Sequence, residues 1–256
     1  MDGTARISSS DLYSRLGTEA APVVVDVRDA ETSETLIIAA TPLPASGTDS
    51  WRRRLGASRL VVAYGADEDE GRGAAAALVE TGMQAAYLDG GIAAWKAQGL
   101  PTRRRRLTPD KWVTRERPKI DRIACPWLVS RFINPAAEFI YVPAGDVLDV
   151  AEKSGAVPYD IKGVEFGHVG DRCSFDAIVS AYDIHDPALD RLATIVRGAD
   201  TSRPDLTPQG HGLLAISYGL SHNFSDDHEM LKHGMIIYDA LYAWCRSQAP
   251  ASAPKA

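Results

Sequence analysis

The sequence predicts an α/β unit with a parallel sheet, followed by an α+β unit with strands first and then mainly helices. Three observations carry this expectation. Short apolar runs at 23–27, 60–64 and 85–88 alternate with helix-forming stretches, the pattern of parallel strands buried on both faces. After residue 111 the order changes: strand-like segments come early, and four stretches with helical spacing follow. Between the two lies Pro101-Thr-Arg-Arg-Arg-Arg-Leu-Thr-Pro109, whose flanking prolines and charge mark residues 102–110 as a basic linker.

Taken in order, Ile7 to Asp11 reads as a strand end and a helix cap, with a short helix from Leu12 to Leu16. The strands at 23–27 and 60–64 follow, with residues 32–50 as a strand plus irregular connection. Asp67 to Glu70 reads as a solvated acidic loop. An alanine-rich helix runs from Gly73 and closes at Gly82. Residues 1–101 thus form the first domain and 111–246 the second. In the second, 111–115 and 137–142 read as strands and 147–153 as a short helix. Segments 156–161 and 164–168 read as strand edges, and 174–182, 187–197, 208–220 and 226–246 as helices. Residues 247–256 form a flexible tail.

One stretch joins the halves. From Ile120 the apolar residues fall at 120, 123, 124, 127, 128 and 132, which predicts a helix with one face in a core. Asp121 precedes that run and is placed to accept bonds from the first-turn N–H groups. Pro126 is tolerated only near a helix start. Cys125 is therefore expected near the N-terminus, beside Arg122, where dipole and cation favour a thiolate. The alternative is a small buried hydrophobe.

The 256 residues suffice for two domains, and the 45% hydrophobic content fills packed cores. No apolar run approaches the roughly 20 residues of a membrane span, and no apolar segment follows the N-terminus. The expectation is a cytoplasmic protein without a membrane partner. Three cysteines give no disulfide framework. The net charge of −6 conceals a basic junction: residues 102–122 carry nine Lys and Arg against three acids. The junction is read as a linker in preference to a nucleic-acid contact, since no helix-turn-helix or zinc-knuckle pattern accompanies it. All six histidines lie after it.

Two family resemblances sharpen these readings. Val25-Asp-Val-Arg28, Val61-Val62 and above all Leu88-Asp-Gly-Gly-Ile-Ala-Ala-Trp-Lys-Ala-Gln-Gly-Leu-Pro101 resemble a rhodanese domain. That resemblance implies a persulfide-carrying cysteine after the central strand, but Tyr64 or Gly65 stands there and no cysteine precedes Cys125. Without its nucleophile a sulfur carrier cannot work, so a non-catalytic module is expected. The stretch Lys119 to Ile133, with Glu165-Phe-Gly-His168, Cys173-Ser-Phe-Asp176, Ile195 to Asp200 and Asp226-Asp227, resembles the C-terminal domain of ChrB-type chromate-resistance proteins. The resemblance implies a role in chromate resistance, with chromate or another small oxyanion as partner.

The candidate chemistry is a scattered constellation. Glu165, His168, Cys173, Asp200 and Asp227 are the expected metal ligands, for zinc, iron or manganese. Arg122 and Arg131 are the expected anion-binding residues. Cys125 and Arg122 are the expected catalytic or sensing pair. A metal-dependent or redox enzyme and a DNA-binding regulator are the alternative functions. Asp226-Asp227 has a plainer reading as a helix cap with an acidic first turn.

Overall fold

A computed structural model describes residues 4–29, 33–43 and 59–248. The chain divides into two compact units. The first takes the residues up to Asp110 together with Leu128–Glu138 and Tyr182–Ile184. The second takes Lys111–Trp127, Phe139–Ala181 and the residues from His185. Of the tail expected at 247–256, Ser247 ends a helix and Gln248 caps it, while 249–256 lie outside the described residues, as do residues 44–50 of the expected irregular connection.

The first unit is built on a five-stranded sheet. Its strands are β1 (Ala5–Ile7), β2 (Val23–Asp26), β4 (Ala40–Pro42), β5 (Val61–Tyr64) and β6 (Ala85–Leu88), in the order β1-β6-β5-β2-β4. Every pairing is parallel, with Val25 opposite Ala63 and Val62 opposite Ala86. The apolar runs are continuous because both faces are covered: Val23, Val25, Val61 and Ala63 pack with Ala74, Ala75 and Leu78. Those last three belong to helix α2 (Glu68–Glu80). Helix α1 (Ser9–Arg15) starts at Ser8, whose hydroxyl accepts from Asp11 N. Helix α3 (Gly91–Ala97) carries Trp95, fully buried, with its indole N–H donating to Pro101 O at 2.8 Å.

Two expectations for this unit are corrected. The acidic run at 67–70 is no loop: Asp67 is the N-cap of α2, and Glu68, Asp69 and Glu70 fill its first turn, where the helix dipole favours them. The supposed linker is partly strand. Thr102–Arg104 forms β7, antiparallel to β3 (Thr35–Ile37), with Leu36 opposite Arg103. Arg103 points inward and is 1% exposed, with its guanidinium donating to Ala40 O and Ile133 O. Arg105 pairs with buried Asp26, which also holds Arg28.

The loop after β5 explains what replaced the missing cysteine. Tyr64 is fully buried and its hydroxyl accepts from Ile37 N at 3.1 Å. Burial pushes its phenol well up. The Ala66 N–H donates to the Glu70 carboxylate at 2.8 Å. Glu70 therefore occupies its own loop.

The second unit holds a three-stranded sheet in the order β10-β8-β9, from β8 (Lys111–Arg115), β9 (Glu138–Val142) and β10 (Val157–Pro158). Helix α5 (Val147–Ser154) places Val147 in a small core with Val113 and Ala156. Segment 164–168 forms no strand. It makes only an isolated bridge between Phe166 and Tyr159.

Helix α4 (Asp121–Phe132) is the expected joining helix. Pro126 lies in its interior, so Arg122 O lacks its usual donor four residues on. The Tyr141 hydroxyl supplies one at 3.0 Å, which is why the helix survives its proline. Around Trp127 pack Phe175, Tyr238 and Tyr242, and the indole N–H donates to Asp239 at 2.7 Å. Burying such a ring removes on the order of 200 Å² from water, about 5 kcal/mol of transfer free energy. These partners come from α6 (Ser174–Ala181) and α9 (Asp227–Ser247), which with α7 (Pro187–Asp200) and α8 (Pro208–Asn223) form the helical part. At Gly234 of α9 a Cβ would lie 2.5 Å from Ile123, so only glycine lets the two helices meet. No described helix is long and apolar enough to cross a membrane.

Candidate metal centre

Four side chains of the second unit converge: Asp121, Asp160, His168 and Asp200. One ligand atom from each lies within 4.8 Å of all the others. His168 Nε2 is 3.0 Å from Asp200, 3.2 Å from Asp160 and 3.5 Å from Asp121. Each arrives from a different kind of element. Asp200 is the last residue of α7. Asp160 follows β10 in a left-handed conformation (φ 51°), which Asp tolerates. His168 sits in the loop 163–170. There a Cβ at Gly167 would lie 2.5 Å from Ile161 O, so glycine is required beside the histidine.

Asp121 opens α4, but it does not cap its own helix as expected. Its Oδ2 accepts from Ser174 N, at the start of α6. Its backbone N–H donates to Asp200 at 3.3 Å. Its Oδ1 is buried with no hydrogen-bond partner. The preceding Ile120 has φ +40°, a costly conformation for a β-branched residue. Two bonds from distant side chains help hold it there: Ile120 N donates to Ser217 and the Tyr238 hydroxyl donates to Ile120 O, both at 3.0 Å.

Electrostatics follow from this crowding. Burial, reinforced by Asp200, pushes the Asp121 carboxyl up to about 7. His168 bonds to Asp121, Asp160 and Asp200, which together raise it to about 12. Burial works against the Asp160 charge, but His168 and Arg115 outweigh it and hold this carboxyl below its ordinary value. A buried carboxylate oxygen without a donor, among two more carboxylates and an imidazole, suits a cation. Without thiolate, a set of three carboxylates and one imidazole could hold a divalent ion such as manganese or iron.

The group opens into a cleft of about 800 Å³. Arg115, Lys119, Arg122 and Lys162 line it with Tyr218. Arg115 donates to Asp160 at 2.8 Å, and Arg122 lies 3.2 Å from the same carboxylate. Lys119 stands 4.2 Å over the Tyr218 ring.

The remaining expected site residues lie elsewhere. Glu165 is exposed and outside the group. Cys173 is buried at the start of α6, its N–H donating to Asp176 at 3.1 Å; burial, then Asp121, pushes its thiol far up. Asp227 accepts from Arg117 N at 3.1 Å and begins α9, capped by Asp226. Cys125 is corrected too. It is 1% exposed, and burial followed by the nearby Asp121 raises its thiol far above the ordinary value. Burial outweighs the dipole and Arg122, so the buried-hydrophobe alternative describes it. Arg131 does not line the cleft with Arg122; it borders a separate cavity of about 10 Å³. Asp121 and Asp160 were the ligand candidates missed. No short spacing links them, and Asp121 carried only a capping signal.

Comparison with known proteins places these units. The family described as "ChrB, C-terminal domain" matches residues 112–245, and the rhodanese-like domain family matches residues 8–98. Protein ChrB of Cupriavidus metallidurans is 30% identical over 133 residues, 52% of this chain and 40% of that protein. The chain therefore aligns with less than half the length of that relative. Among solved structures, the rhodanese-like domain of the Alr3790 protein from Anabaena sp is 35% identical, covering 38% of this chain and 76% of that one, with a TM-score of 0.36. The BH2092 protein from Bacillus halodurans is 28% identical, covering 39% and 76%, with a TM-score of 0.35. A rhodanese-like module precedes the matched C-terminal domain, and the chain belongs to the ChrB C-terminal domain family.

Proposed function

We propose that this chain is a chromate-resistance protein whose C-terminal unit binds a divalent metal, manganese or iron, and an oxyanion beside it. One observation carries the reading: Asp121, Asp160, His168 and Asp200 converge around an Asp121 oxygen that is buried without a donor. A cation there relieves the repulsion of three carboxylates and satisfies that oxygen. Arg115 and Arg122 on the cleft wall supply the positive charge that a tetrahedral dianion such as chromate requires. Thiol reduction is no part of this reading, because Cys125 and Cys173 are buried with raised thiols. The rhodanese-like unit acts as a non-catalytic module, its loop filled by Glu70.

The test is elemental analysis of the natively purified protein, with His168→Ala and Asp200→Asn alongside. Near-stoichiometric metal in the wild type, lost in both folded variants, is the expected result. A metal-free wild type that takes up neither Mn²⁺ nor Fe²⁺ on reconstitution overturns the reading.

A further inference from the structure

We infer that the cleft is built for an organic oxyanion, a small molecule with a phosphate-like or carboxylate head and an apolar body; the inference rests on the metal reading above. Volume is the first argument. A tetrahedral oxyanion displaces on the order of 100 Å³, taking each displaced water at about 30 Å³. The cleft holds about 800 Å³, far more than a bare oxyanion fills. That volume is within the roughly 300–1,000 Å³ of small-molecule sites.

Charge is the second. Arg115, Lys119, Arg122 and Lys162 line the cleft with Asp160 and Asp200, and the third carboxylate, Asp121, lies buried beside them. With His168 neutral as a ligand, a divalent ion leaves an excess of three positive charges, so the occupant is an anion. Lining chemistry is the third. Besides its charged groups the lining includes Ile120, Pro204, Leu214 and Tyr218, and Tyr218 is 56% exposed in a position to cover a flat or aliphatic body. Lys119 over the Tyr218 ring keeps a cation beside that apolar wall. The head group would meet the ion and the guanidiniums while the body lies on Tyr218. Inorganic oxyanions, chromate among them, would fill the head position alone.

The experiment uses the full chain loaded with Mn²⁺, with occupancy read by electron paramagnetic resonance. Phenylphosphonate, benzoate and inorganic phosphate are then titrated by calorimetry. Either aromatic ligand is expected to bind about tenfold tighter than phosphate, the yield of covering on the order of 60 Å² of apolar surface. The better of the two identifies the head group. Tyr218→Ala should remove the aromatic preference. Mn²⁺ bound, with phosphate as tight as both aromatic ligands, overturns this inference and leaves the metal reading standing. A preference that survives Tyr218→Ala overturns the assignment of the body to that wall. Failure to bind Mn²⁺ overturns both readings.

Discussion

Replacing Asp121 by asparagine should separate metal binding from folding, with opposite signs. In the metal-free chain its carboxylate is buried near Asp160 and Asp200 and is pushed up to about 7. A rise of about three pH units costs the charged form roughly 4 kcal/mol. That value already includes the His168 contact; the asparagine oxygen still accepts from Ser174 N, but its amide is buried where Oδ1 has no partner, at about 1–3 kcal/mol. The metal-free variant should therefore be as stable as wild type or about 1–2 kcal/mol more stable at pH ~8. The sign follows from the direction of the shift. An acid raised on folding destabilises once charged, so the advantage is absent below pH ~4 and complete above pH ~7. Metal reverses the ranking. At a hundredfold excess over Kd, wild type gains about 2.7 kcal/mol and the variant gains nothing. At roughly 2–4 °C per kcal/mol, both effects are measurable in thermal melts with Mn²⁺ or chelator. A variant that melts several degrees below wild type in chelator, or still binds Mn²⁺, refutes the reasoning.

Further outcomes are expected. Metal binding at pH ~8, where Asp121, raised to about 7, is largely ionised, should release about one proton, because His168, raised to about 12, holds one until an ion displaces it. Calorimetry in buffers of different ionisation enthalpy measures it, and a value near zero removes His168 from the shell. Tyr64→Cys should not confer thiosulfate-to-cyanide transfer, and it should melt lower, since Ile37 N loses its acceptor at about 1–3 kcal/mol. Turnover by that single variant would contradict the role given to Glu70. Folded protein should resist iodoacetamide at all three thiols, with Cys245, raised to about 11, labelled before Cys125 and Cys173. Cys125 labelling first would show that the helix terminus wins after all. Any DNA affinity should be salt-steep and sequence-indifferent, and weak because Arg103 is buried and Arg105 is paired. A promoter-specific footprint at physiological salt would overturn it.

The elements were legible where one local pattern sufficed. Apolar spacing gave the helix at 121–132 and unbroken apolar runs gave the central strands. Asp226 caps α9 as its place before an acidic turn suggested. The site was less legible because its geometry is tertiary. Asp160 sits in Tyr-Asp-Ile with no flanking signal, and only the fold carries it to His168. Asp121 looked like an ordinary cap, whereas its acceptor serves a helix more than fifty residues away. Arg103 was hidden by its neighbours. Four arginines read as a solvated linker, yet strand alternation turns the first of them inward, opposite Leu36. Cys125 shows the limit of reading reactivity from position, since its surroundings, invisible in the sequence, set the thiol.

The spread of the four converging residues bears on when an ion enters. Asp121, Asp160, His168 and Asp200 are supplied by a helix start, a turn after a strand, a glycine-flanked loop and a helix end, across eighty positions of chain. No short peptide segment holds more than one of them, apart from the pair eight residues apart at 160 and 168. A nascent or partly folded chain therefore offers no preformed chelate, unlike a zinc finger, whose metal nucleates its fold. An ion held by these four residues would load after folding, through the cleft. Selection among divalent ions then falls to their supply at that moment, since oxygen-rich sites discriminate weakly by affinity.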